Sequence, residues 1–321
     1  MDSKRPLRAA TTAGHAAAMI GDATAVTAQP VRAVARKLGR PRLLIIGCGD
    51  IGRRIVSRVQ RRFRVFALTS QPARTAELRA LGAVPVVGDL DRRASLARLR
   101  SLAPWLLHLA PPPNSGRDDP RTRRLLAALK PPARAVYVST TGVYGDRGGA
   151  WTDETAPLAP LNDRAWRRVD AERRMRVAEA CVLRVPGIYG HDRLPLDRLR
   201  AGTPALAPDD DVHTNHVHAD DLARICVAAL LRGGRARVIN AVDDSQLKMG
   251  DYFDAVADAH RLPRPPRLPR AALQAAVSPM MYSFMAESRR LRNDRLKREL
   301  RVTLRWPTVA ATLADIARRP R

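Results

Sequence analysis

The chain has 321 residues, 45% of them hydrophobic, enough for one large α/β domain or two smaller ones with an ordinary globular core. Its formal charge of +26 rests on 57 basic against 31 acidic residues, and all but five of the basic residues are arginines dispersed over nearly every expected helix without interleaved aromatics, which argues against a specific nucleic-acid stripe. Three cysteines, none in a C-x-x-C pair, argue against a disulfide framework and fit a reducing, cytoplasmic setting, and no apolar run approaches the ~20 residues that span a bilayer.

Residues 1 to about 40 are rich in Ala, Thr and Arg, with Asp2 and Asp22 the only acids, and read as a flexible basic extension. They are acid-poor like an organelle transit peptide but lack the continuous apolar segment of a secretory signal. From Pro41 strand and helix patterns alternate. Strands are predicted at residues 43–46, 64–68, 84–87, 105–109, 135–139 and 182–185, and helices at 51–60, 73–81, 95–102, 122–129 and 163–178. Right-handed crossovers build such a series into an α/β, doubly wound parallel sheet of the Rossmann type over residues 41–185, with ligands at the carboxyl ends of its strands. Beyond Pro186 the loops lengthen. Helices are expected at 220–231, 249–259, 293–300 and 308–317, a strand at 238–241, and a stiff connector at Pro263-Arg264-Pro265-Pro266. Residues 186–321 read as a smaller substrate-binding lobe folded onto the same sheet.

The first strand runs into Gly47-Cys48-Gly49-Asp50-Ile51-Gly52, a G-x-G-x-x-G turn that opens a helix. Gly47 permits the sharp turn, Gly49 leaves room for a pyrophosphate to approach the backbone, and Gly52 lets helix and strand pack closely, while the free N–H groups at the helix start hold phosphate charge. A second strand follows and completes a βαβ unit, which is the context a dinucleotide site requires. A site for NAD places a carboxylate about twenty positions after the first glycine, to bond the adenosine ribose. Here Leu68, Thr69, Ser70 and Gln71 stand in that place. Arg53 and Arg74, with the Thr69 and Ser70 hydroxyls, are instead positioned for a 2′-phosphate, which favours NADP over NAD; the alternative is two solvated arginines among many. Asp89, followed by Leu90 at the end of the third strand, is placed to accept from the adenine amino group or simply to cap its turn.

The segment Val136-Tyr137-Val138-Ser139-Thr140-Thr141-Gly142-Val143-Tyr144-Gly145-Asp146 resembles the fifth strand and following loop of the extended short-chain dehydrogenase/reductases, the NAD(P)-dependent epimerase/dehydratase family. The resemblance continues through Leu183-Arg184-Val185-Pro186-Gly187-Ile188-Tyr189-Gly190, Asn215-His216-Val217-His218-Ala219-Asp220-Asp221 and Val238-Ile239-Asn240-Ala241, and so covers nearly everything after residue 41. It implies that Thr140 is the catalytic hydroxyl that polarises a substrate oxygen, that Ala110 is the small residue that lets the cofactor pass, and that Pro186, Gly187 and Ile188 lie beside the nicotinamide. It places Tyr144 near the substrate, where a packed aromatic is the alternative, and assigns Tyr189, Asn215 and His216 to the substrate side. The family's Tyr-x-x-x-Lys pair, however, falls on Arg164 and Arg168. A guanidinium does not exchange a proton near neutral pH, so Arg164 cannot replace the phenol. The chain thus resembles the atypical members that keep the fold and lose the dyad. Tyr144, Tyr189 and His216 are the candidate replacements for the proton donor, and a noncatalytic NADP sensor is the competing reading. No metal is expected at His213, His216 and His218, since a structural site wants four convergent ligands. The expected partners are a small or sugar-like polar substrate and, at most, a second copy of the chain.

Overall fold

The computed structural model describes residues 39–318, so all but the end of the expected basic extension lies outside the described residues. In chain order the strands are β1 (Arg42–Ile46), β2 (Arg64–Thr69), β3 (Val84–Val87), β4 (Trp105–His108), β5 (Arg134–Thr140), β6 (Trp151–Thr152), β7 (Cys181–Val185), β8 (Gly187–Tyr189), β9 (Ala205–Leu206), β10 (His216–His218), β11 (Val238–Asn240), β12 (Arg267–Leu268) and β13 (Arg290–Leu291). The helices are α1 (Asp50–Val59), α2 (Thr75–Ala80), α3 (Pro120–Ala128), α4 (Asp163–Val177), α5 (Leu196–Arg200), α6 (Ala219–Arg232), α7 (Met249–His260), α8 (Arg270–Ala276), α9 (Pro279–Met285), α10 (Asp294–Arg298) and α11 (Val309–Arg318). Seven strands form one sheet in the order β11-β7-β5-β4-β1-β2-β3, and every pairing is parallel. The order reverses beside β1, which makes the gap between the ends of β1 and β4 the crevice where a doubly wound sheet binds ligands.

Both faces of the sheet are covered, which is why its inner strands read as unbroken apolar runs. Successive side chains of β1 point to opposite faces. Leu43 and Ile45 pack with Ile55 and Val56 of α1 and with Leu222 and Ile225 of α6. Leu44 and Ile46 pack with Leu125 of α3, Tyr137 of β5, and Ala171 and Met175 of α4. The helices begin where a side chain can accept their free N–H groups. Asn162 accepts from Ala165 at the head of α4, and Asp119, followed by a proline, caps α3.

The expected elements stand with corrected ends. β4 stops at His108 rather than 109, because the N–H groups of Leu109 and Ala110 both turn toward the Ile46 carbonyl, at 2.8 and 3.0 Å. The helix expected at 95–102 is a 3-10 helix, Arg93–Leu99, and the one expected at 73–81 divides into a 3-10 turn, Pro72–Arg74, and α2. Leu96 and Leu99, the buried pair of the first, are three residues apart, a spacing that suits the 3-10 period better than the α period. Helices α8 and α9 and the short parallel pairs β8–β10, β9–β12 and β6–β13 carry no periodicity long enough to predict them. Among the described residues no helix is long and apolar enough to cross a membrane.

Candidate functional site

The glycine turn leaves β1 at the crevice. Gly47 has φ +87°, and a Cβ there would stand 2.6 Å from the Ala110 nitrogen and 2.7 Å from its Cα, so backbone conformation and close approach both demand glycine. A Cβ on Gly49 would meet nothing within 4 Å, which leaves open space before the start of α1. No side chain caps that helix, so its leading N–H groups face that space unspent. Gly52 is tight against Cys48 Sγ and the Gly47 carbonyl, each 3.2 Å from where its Cβ would be. Burial pushes the Cys48 thiol up to about 11 and so keeps it protonated. Ile51 packs against the core, and the Asp50 carboxylate accepts from Arg54 Nε at 3.0 Å and Arg193 Nη1 at 2.9 Å. The cradle has the shape and the donors for a diphosphate.

At the end of β2, Thr69 Oγ1 accepts from the Gln71 N–H at 3.1 Å and Ser70 is exposed. Arg53 and Arg74 do converge, but on a carboxylate that the motif count passed over. Glu77 Oε1 receives Arg53 Nη1 at 3.1 Å, Glu77 Oε2 receives Arg74 Nε at 3.1 Å, and Arg74 Nη2 also reaches the Cys48 carbonyl at 2.9 Å. The hydrogen bond from Arg74 holds the Glu77 carboxyl below the usual carboxylate range. The available signal was local: Glu77 lies three residues after Arg74, the spacing of ion pairs along a helix. Asp89 Oδ1 accepts from the Asp91 N–H at 2.9 Å, the turn-capping role, and Leu90 is buried.

A cavity of about 400 Å³ opens at the carboxyl ends of β5 and β7. Thr140, Thr141 and Gly142 form one wall, and Pro186, Gly187 and Ile188 another. Arg164 enters from the first turn of α4, Asn215 and His213 from the approach to β10, and Ser283, Phe284, Glu287 and Arg289 from α9 and the segment after it. Arg193 also lines the cavity, so its bond to Asp50 ties this space to the start of α1. Thr140 Oγ1 accepts from the Gly142 N–H at 3.3 Å, which leaves its proton free to donate. The Asn215 amide bridges the backbone of Arg289 and Leu291, at 3.0 and 2.9 Å. Glu287 and Arg289 form an ion pair of 2.6 Å, with side chains only 9% and 12% exposed. Sequence reasoning missed both, because they lie on an irregular segment far from any motif.

Three of the nominated side chains do not line this cavity. Tyr144 is fully buried beneath Arg184 and donates to Asn240 Oδ1 at 2.8 Å. Tyr189 packs edge-on against both His216 and His218, with ring centroids 5.9 and 5.4 Å away, and burial pushes its phenol well above the ordinary range. His216 lies against Tyr252 at 4.3 Å, and burial lowers it to about 4. Arg184, near the carboxyl end of β7, is 3% exposed and paired with Glu172 at 2.8 Å. At the dyad positions, Arg168 Nη1 bonds Tyr137 Oη and the Val138 carbonyl, each at 3.1 Å, so only Arg164 reaches the cavity.

The TrkA-N domain matches residues 43–101, the stretch that holds β1 to β3 and the glycine turn. No curated protein matches the chain by sequence. Among solved structures, a functionally unknown conserved protein from Silicibacter pomeroyi is 29% identical, with a TM-score of 0.73 over 86% of this chain and 98% of that one. A human epimerase family protein, solved with NADPH, is 18% identical, with a TM-score of 0.66 over 87% of this chain and 100% of that one. UDP-glucuronic acid 4-epimerase from Bacillus cereus, solved with NAD, is 18% identical, with a TM-score of 0.65 over 86% of this chain and 95% of that one. The chain therefore shares its fold with the NAD(P)-dependent epimerase/dehydratase proteins that its motifs resemble, and its first three strands match a TrkA-N domain.

Proposed function

We propose that this protein is an NAD(P)-dependent oxidoreductase of the atypical extended short-chain type, acting on a small polar substrate held in the cavity beside Thr140. The observation that carries the reading is the continuity from the glycine cradle to the cavity. The Gly47–Gly52 turn has the open space and free N–H groups a diphosphate needs, and Arg193 links the start of α1 to a space walled by Thr140 and by Pro186 to Ile188. Gly47, Gly49, Gly52 and Ala110 would hold the dinucleotide, Arg53, Thr69, Ser70 and Arg74 its adenosine end, and Pro186, Gly187 and Ile188 its nicotinamide. When bound, that group supplies a site that gives or takes a hydride. Thr140 then donates a hydrogen bond to the reacting oxygen, which polarises and orients it. The absence of a carboxylate at residues 68–71 supports NADP as the preferred form, with NAD the alternative. A protein of the cytoplasm suits three buried, unpaired cysteines.

A second reading, a noncatalytic NADP sensor, draws on one observation: Tyr144, Tyr189 and His216 stand outside the cavity lining, so none of the expected proton donors faces the substrate space. His213 and Glu287 do line it, and on the catalytic reading one of them moves the proton. Hydride transfer from stereospecifically labelled NADPH to a panel of carbonyl compounds, run beside Thr140→Ala, separates the two. Label transfer that falls by about 100-fold or more in the variant supports catalysis, a loss typical of removing one donor to a reacting oxygen. NADPH binding without transfer to any carbonyl supports the sensor.

A further inference from the structure

Arg164 occupies the position where the family pattern places its tyrosine, and its surroundings show what the exchange achieves. The side chain leaves the first turn of α4 and reaches the cavity wall, where its guanidinium lies 4.3 Å from the Phe284 ring centroid. It makes no hydrogen bond or ion pair among the described residues, so its N–H groups are unspent. Burial and then the nearby Arg168 charge act against its charged form, while the Glu287 charge favours it. The other two guanidiniums of the cavity are engaged. Arg193 bonds Asp50, and Arg289 bonds Glu287 and the Gly145 carbonyl at 2.8 Å, although Arg289 Nε is buried without a partner. The wall thus carries three guanidiniums against one carboxylate, and that carboxylate is already paired.

The contact with Phe284 stabilises this guanidinium only modestly and uses none of its N–H protons, and Glu287, the one carboxylate of the wall, is already bonded to Arg289. An anion in the cavity would resolve the imbalance, because a planar fork of donors meets two oxygens of a carboxylate or phosphate at once. We propose that the cavity selects substrates bearing an anionic oxygen group, a carboxylate or a phosphate, and that Arg164 is the specificity-determining residue that binds it. The proposal rests on the reading of this cavity as the substrate site. It assigns Arg164 to recognition and leaves proton transfer to another group.

The test is calorimetric titration of the full chain with malonate and with inorganic phosphate, with malonamide as the neutral counterpart and NADPH titrated in parallel. One of the two anions should bind and weaken as salt is added, malonamide should not bind, and whichever anion binds identifies the group. Arg164→Gln should weaken that anion by about tenfold or more, the scale of a lost charge-assisted bond. Arg164→Lys, which keeps the charge without the fork, should restore part of the loss, whereas a merely structural role would give no such rescue. NADPH affinity should stay the same in all three proteins. The proposal is overturned if neither anion binds a protein that does bind NADPH, or if Arg164→Gln binds the anion as well as the parent chain. Anion binding that depends on Arg164 without any NADPH association would support the proposal and overturn the hydride-transfer reading.

Discussion

Gly47 is the residue on which the cofactor cradle turns, and its demands are steric in two independent ways. A left-handed φ penalises any side chain by about 1–3 kcal/mol, and a methyl group would in addition overlap the Ala110 backbone, which is itself fixed by its bond to the Ile46 carbonyl. We expect Gly47→Ala to lower the thermal midpoint by several degrees and to abolish NADPH binding measured by fluorescence titration; retained affinity would show that the cradle is not the diphosphate site. Glu77 sets a second expectation. It holds Arg53 and Arg74 in an exposed cluster that solvent screens, and a 2′-phosphate must displace it to be met by both arginines. Glu77→Gln should therefore raise the preference for NADP over NAD severalfold, read as the ratio of the two dissociation constants, whereas an unchanged ratio would show that the arginines do not serve the 2′ position. At this scale the motif residues were legible because each glycine has one steric reason to be there. The facing of their neighbours was not. Ile188 and Asn215 line the cavity while Tyr189 and His216, one residue on, point into the core, since a single step along an extended strand reverses the face. A motif fixes the position of such a pair in the chain and leaves open which member meets the ligand.

Among the elements, the inner strands were legible because burial on both faces leaves only an apolar run, as in Leu43 to Ile46. The segment that completes the cavity was not, because α9 is short and Glu287 and Arg289 belong to no repeating pattern. The pairing of β7 with α4 was equally hidden. The side chains of Arg184 and Glu172 are 4% and 3% exposed, and Nε and Nη2 of Arg184 both reach the carboxylate. Two charges withdrawn from water survive as a pair, whereas removing one partner leaves the other buried and uncompensated. We expect Glu172→Gln to destabilise the protein by about 3–5 kcal/mol in denaturant titrations, and the double replacement of Glu172 and Arg184 by apolar residues of similar volume to recover most of it. A loss no larger for the single variant than for the double would mean that water reaches the pair. Because α4 also carries Arg164 and the pocket-facing Ala165, an α4 loosened from β7 should weaken ligand binding alongside stability.

The whole molecule carries its response to acid in buried imidazoles. Nε2 of His108 bonds Thr122 Oγ1 at 2.9 Å, Thr122 donates onward to Asp119 Oδ2 at 2.6 Å, and Nδ1 of His108 has no partner. Thr122, having given its proton to Asp119, accepts from His108, so the ring is the neutral tautomer protonated at Nε2, and burial, then Arg168, lower it to about 3. Burial likewise lowers His216 to about 4. In the unfolded chain both titrate near 6.5, so between that value and their folded values the unfolded state binds more protons, and stability must fall as the pH falls. Each such group costs roughly 2 kcal/mol by pH 5. Carboxylates act in a lower window. Asp91, held below the ordinary range by its bonds to Arg121, loses its contribution only as the pH falls below about 4. A chain of net charge +26 adds self-repulsion as every further proton binds, but added salt screens that part and leaves the desolvation of buried rings unchanged. We therefore expect the thermal midpoint to decline between pH 6.5 and 4.5 even in 0.5 M salt, and His108→Gln, which has no proton to gain, to show a shallower decline over the same interval whatever its stability at pH 8. Equal slopes for the two proteins would place the acid sensitivity elsewhere than in the ring beneath β4.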